Sequence, residues 1–161
     1  MFWKILLVFL VSMVPLIELR GAIPIAIGLD LGLPEWVALV VAVIGNLLPI
    51  PLIFFFARKF LEWGNKQKWP PLKKFCRFCL KKGEKAGAKL LEKTKGGAYW
   101  ALFLFVAIPL PGTGAWTGTL AASILDLDFK KTVLAVSLGV LTAGFIMLMA
   151  SLGLFKGLFG M

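Results

Sequence analysis

Two ionisable side chains, Glu18 and Arg20, stand two residues apart in the stretch PLIELRGAIP (Pro15–Pro24), inside an otherwise almost wholly apolar N-terminal region. A charge at bilayer depth costs roughly 2.5–3.5 kcal/mol on insertion scales, so each needs a partner, water or a task. Arg20 offers a planar, permanently charged donor fork suited to a phosphate. Glu18 offers a carboxylate that can tune Arg20 or carry a coupling proton. A second stretch, IPLPGTGAWTGTLAAS (Ile108–Ser123), has no charge but two prolines, three glycines and three threonines. Backbone N–H groups freed around Gly112, Thr113 and Gly114 would make an uncharged anion-friendly surface. Thr113 and Thr117 add hydroxyl donors, and Trp116 adds an aromatic wall that could face a cation. Substrate-binding roles are therefore expected at Arg20, Gly112, Thr113, Gly114, Trp116 and Thr117, with proton or charge coupling at Glu18.

Other chemistries find little support. The chain has no His, which removes a His-containing triad and a His-ligated metal. Cys76 and Cys79 form a Cys-x-x-Cys, but zinc needs four ligands and no further Cys exists. On an apolar helical stripe they read as small fillers. No nucleophile–base pair and no carboxylate pair is apparent, so an enzyme is not expected, nor a cofactor or a metal site.

The elements that must carry these residues are membrane helices. Hydrophobic residues make up 60% of the 161, with mean hydropathy +0.91, against roughly 45–50% apolar content in soluble domains. The formal charge is +10. All of the excess lies between Arg58 and Lys95, where 13 basic residues face 3 acidic ones. That placement argues for a cytoplasmic loop by the positive-inside rule and against nucleic-acid binding. A cleaved signal peptide is not expected, because Leu19-Arg20-Gly21 lacks a small-x-small pattern. Glu35–Ala57 and Thr132–Leu154 read as 23-residue spanning helices, about 35 Å long for a core of about 30 Å. Gly45-Asn46, Pro49 and Pro51 predict a kink in the first, Asn46 an interhelical hydrogen bond, and Arg58-Lys59 its end. Pro24, Pro109 and Pro111 predict breaks in the shorter limbs, which read as hairpins. Between them, Leu72, Phe75, Cys76, Cys79 and Leu80 form one apolar stripe among lysines, read as an amphipathic helix lying on the anionic inner leaflet.

The halves resemble each other. A shift of 93 residues lays Gly21-Ala22 over Gly114-Ala115 and Arg20 over Thr113, and one residue of slip lays Gly45 over Gly139. The expected fold is all-α: repeat 1 over 2–57, a basic cytoplasmic loop over 58–97, and repeat 2 over 98–155. Each repeat pairs a Pro/Gly-broken re-entrant hairpin with one spanning helix, and the second copy is inverted.

The motifs ELRGAIP (Glu18–Pro24) and PLPGTGAWTG (Pro109–Gly118) resemble those of the small multidrug export proteins, a family related to the DedA/VTT membrane proteins. The resemblance covers nearly the whole chain. It implies two inverted re-entrant hairpins facing each other, and work on lipids or lipid-linked phosphates, or proton-coupled drug export. In DedA proteins the second hairpin carries an arginine near its Pro-Gly, where this chain has Gly114. Three readings follow: translocation of a lipid or lipid-linked phosphate, exchange of protons for a lipophilic cation, or a scaffold in which Glu18 and Arg20 merely satisfy each other. Membrane lipids, the anionic leaflet at the basic loop and, on size alone, a second copy in a homodimer are the expected partners. The expected location is the cell membrane, crossed more than once.

Overall fold

In the computed structural model residues 1–15, 17–74, 76–78, 81, 97–110 and 113–159 are described, and all their regular structure is helical. The chain runs through α1 (Phe2–Met13), α2 (Glu18–Gly28), α3 (Glu35–Leu47), α4 (Ile50–Lys66), α5 (Ala98–Ala107), α6 (Ala115–Ile124) and α7 (Phe129–Phe159). Two stretches, Glu35–Lys66 and Phe129–Gly153, are long and apolar enough to cross a membrane. At 1.5 Å per residue α1, α2, α5 and α6 reach only about 15–18 Å, half of a hydrocarbon core of about 30 Å.

Three sequence expectations change. The helix that begins at Glu35 does not stop at Arg58 and Lys59. It bends at Leu48–Pro49, where the prolines were expected to kink it, and α4 then runs to Lys66. Arg and Lys are good helix formers, so they limit a membrane passage without ending the helix. The end comes at Gln67, whose ψ of 150° is extended. Pro24 was expected to break the chain but lies inside α2. The break sits earlier, at Val14, Pro15 and Ile17, and Glu18 follows with φ of 52°. Pro24 therefore costs one helical N–H, which a helix packed on three neighbours tolerates. The Leu72–Cys76 stripe turns inward: a Cβ on Gly64 of α4 would lie 3.6 Å from Cys76 Cβ and 3.7 Å from Leu72 Cγ. Cys76 is buried there, while Phe75, Cys79, Leu80 and residues 82–96 lie outside the described residues.

Small residues set the packing, as in membrane bundles where backbones must approach closely. Ala22, Ala26, Ala38, Ala42, Ala115, Ala122, Ala135 and Ala143 are all core positions. Gly45 lets α3 cross α1, since a Cβ there would come 2.7 Å from Phe9 C=O and collide with Ser12. Gly139 lets α7 cross α5 in the same way, with Val106 at 2.7 Å and Phe103 C=O at 3.0 Å. Each partner lies 94 residues after its counterpart. α2 packs on α7, and α6 packs on α4. The turns also match. Asp30 and Asp126 have φ of 43° and 57°. Leu31 N–H donates to Ala26 C=O and Leu127 N–H to Ala122 C=O, closing two identical helix ends. Each turn returns to the start of the helix before: Gly32 lies beside Lys4, and Asp128 N–H donates to Tyr99 Oη at 3.1 Å. Asn46, expected to bond across helices, is 1% exposed and its amide has no hydrogen-bond partner.

Candidate functional site

The start of α2 meets the bend between α5 and α6, and Glu18 and Arg20 make the junction. α6 begins at Gly114, which has no side chain with which to cap the helix. Its first N–H groups need acceptors, and its dipole favours an anion. Glu18, only 5% exposed, supplies both. Ala115 N–H donates to Glu18 Oε2 at 3.3 Å and Trp116 N–H to Oε1 at 3.1 Å. Gly114 is required by this approach, because a Cβ there would overlap both carboxylate oxygens. Its φ of 165° is ordinary extended backbone.

Arg20 does the complementary work at the end of α5. Pro109 has no N–H, and Leu110 N–H turns to Ile108 C=O at 2.8 Å, so the last carbonyls of α5 lack helical donors. Arg20 Nη2 donates to Val106 C=O and Ile108 C=O, both at 3.1 Å. Its Nη1 donates to Leu110 C=O and to Thr113 Oγ1, the latter at 3.0 Å. All four N–H groups on the two terminal nitrogens are thus engaged. A cation at a helix C-terminus is also where the dipole favours it. Residues two apart on a helix point about 200° apart, so one short motif reaches α6 with its acid and α5 with its base.

Beside this junction lies an open cavity of about 760 Å³. Glu18, Thr113, Trp116 and Thr117 line one side, and the α4 face carrying Leu52, Phe56, Lys59, Phe60 and Trp63 lines the other. Arg20 is not among its lining residues. Thr117 Oγ1 donates to Gly114 C=O at 3.4 Å, and Trp116 Nε1 is buried without a partner. The residues expected from sequence therefore divide. Glu18, Thr113, Trp116 and Thr117 share the cavity, Gly114 holds the backbone behind it, and Arg20 is spent on α5. Pro109 stands at the bend between α5 and α6. Pro111 and Gly112 lie outside the described residues.

Sequence reasoning missed the α4 wall. Leu52, Phe56, Lys59, Phe60 and Trp63 follow i, i+4, i+7, i+8 and i+11, one face of a helix. The signal was visible in the sequence, but ending the helix at Ala57 concealed it. No curated protein and no solved structure matches this chain significantly. Residues 18–146, most of the chain, from Glu18 and Arg20 through the bend between α5 and α6, match the family described as "Putative small multi-drug export protein", and the chain belongs to that family.

Proposed function

We propose that this protein exports small amphipathic molecules bearing a positive charge, with the Glu18 carboxylate meeting the cation. One observation carries the reading: of the two buried-motif charges, Glu18 lines the aromatic cavity and Arg20 does not. The cavity is of ligand size, within the range of about 300–1,000 Å³ common for small-molecule sites. Phe56, Phe60, Trp63 and Trp116 offer apolar surface and aromatic faces to a lipophilic cation. A carboxylate has about four lone-pair sites, and two N–H donors leave room for a ligand. Export in the family's description agrees with this reading.

A proton and a cation compete for the same carboxylate, and either one weakens its hold on Ala115 and Trp116 N–H. Occupancy of the cavity is thereby coupled to the contact between the starts of α2 and α6. The matched turns, the matched glycine crossings and the exchange of α2 onto α7 and α6 onto α4 support two repeats in inverted orientation. With α1–α2 and α5–α6 as re-entrant hairpins, rocking one repeat against the other would open the cavity to alternate sides.

A second reading, translocation of a lipid or lipid-linked phosphate, is favoured by Lys59 and by the unpartnered Trp116 Nε1 in the same cavity. There Lys59, and not Arg20, would meet the phosphate. Proteoliposomes separate the two. Movement of tetraphenylphosphonium driven by a pH gradient, lost in Glu18→Gln, is expected. Movement of a fluorescent phospholipid without cation movement, lost in Lys59→Gln, would replace the first reading by the second.

A further inference from the structure

A second groove, of about 450 Å³, lies on the outer face of α5 and α7, away from the cavity at Glu18. We infer that it is a binding site for an anionic phospholipid of the leaflet next to the basic loop, with the headgroup at Lys131 and an acyl chain along α7.

The groove is polar at one end and apolar along its length. At the polar end Lys131 Nζ sits 5.7 Å from the centroid of the Tyr99 ring. Asp128 ties that end together: its N–H donates to Tyr99 Oη, and its carboxylate accepts Lys131 N–H at 3.0 Å. Lys130 adds a second positive charge beside it. From there the walls are Trp100 and Phe103 of α5 and Leu134 and Leu138 of α7, with Ala135 forming the floor between them. Thr142 closes the far end, and its hydroxyl is already spent on Leu138 C=O at 2.9 Å. Among the described residues no free polar group therefore faces the distal part, which suits hydrocarbon and not a soluble metabolite.

Length and charge select the same occupant. Thr142 lies eleven residues beyond Lys131, about 16 Å along the helix, close to the depth of one leaflet of a core of about 30 Å. Tyr99 and Trp100 stand at the end where aromatic residues mark the membrane interface. That end adjoins the basic segment, because Tyr99 follows residue 95 closely in the chain. Inner-leaflet lipids carry the negative charge that Lys130 and Lys131 complement.

The site is independent of what the Glu18 cavity carries, and its test does not use transport. Purified protein in lipid nanodiscs is compared in phosphatidylglycerol and in phosphatidylcholine of the same chains, with thermal stability and retained lipid by native mass spectrometry as readouts. The anionic lipid is expected to be retained about tenfold more tightly and to raise the melting temperature. Lys130→Gln with Lys131→Gln should remove the preference for charge. Ala135→Leu should fill the floor and remove retention of either lipid while the protein still unfolds cooperatively. Equal retention of both lipids by the wild type would overturn the proposal. So would an anionic preference undiminished in the double lysine variant, because it would place binding on the basic loop.

Discussion

Replacing Arg20 tests whether the motif at the junction holds backbone or grips a ligand. In Arg20→Ala, Val106 C=O loses its side-chain donor, and Leu110 N–H remains committed to Ile108. The Thr113 hydroxyl lies within reach of both Ile108 C=O and Leu110 C=O, at 2.9 Å each, but has a single proton to give. Leu110 C=O keeps Thr113 N–H at 3.2 Å, so Val106 C=O alone is left without a donor, and the charge-assisted bond it loses is worth about 1.5–3 kcal/mol. Arg20 is half-buried, so water recovers part of this and a loss of about 1–2 kcal/mol is expected. For a chain of this size that corresponds to a fall of about 2–8 °C in melting temperature, readable in detergent from the fluorescence of its six tryptophans. Arg20→Lys should recover only part, because a point ammonium cannot serve carbonyls spread from Val106 to Leu110. The decisive variant is Glu18→Gln with Arg20→Gln. Each charge serves its own helix end, so the double should be no more stable than Arg20→Gln alone. A double restored to wild-type stability would mean that the charges merely neutralise each other, and the backbone-holding account would fail.

Gly114→Ala should push the Glu18 carboxylate off the start of α6, costing about 1–3 kcal/mol, and should impair cation movement in liposomes; full activity would sever Glu18 from the cavity's task. Gly45→Ala and Gly139→Ala should each destabilise by about 1–3 kcal/mol, since both crossings are closed to a Cβ. Gly153→Ala meets nothing within 4 Å and should leave the melting temperature unchanged or raise it, so equal effects at all three sites would refute the crossing argument. Single cysteines at Asp30 and Asp126, in a background with Cys76 and Cys79 changed to Ser, should label with an impermeant reagent from opposite sides, Asp126 from the side of the basic loop. Labelling of both from one side would exclude inverted halves.

How much was legible in the sequence depended on whether the signal was local. The two long apolar stretches, the limbs too short to span and the bend at Pro109 follow from composition and from what proline removes from a helix. Part of the likeness of the halves also showed, because the crossing glycines Gly45 and Gly139 stand 94 residues apart, close to the 93 between Gly21 and Gly114. The motif's chemistry did not. Nothing in ELRGAIP says that its acid and base would reach different helices, since the partners are carbonyls and N–H groups, which every sequence contains. Arg20 with Gly112, Gly114, Thr113 and Thr117 across the shift reads as readily as a phosphate grip. Only the fold reveals that Pro109 leaves α5 without donors and Gly114 leaves α6 without a cap, and that these two backbone deficits have opposite signs. One residue of each charge, on one turn of α2, meets both. On the proposed reading Arg20 is withdrawn from the ligand, and Glu18, bound to a helix start whose Trp116 and Thr117 also line the cavity, is the acidic charge that meets it.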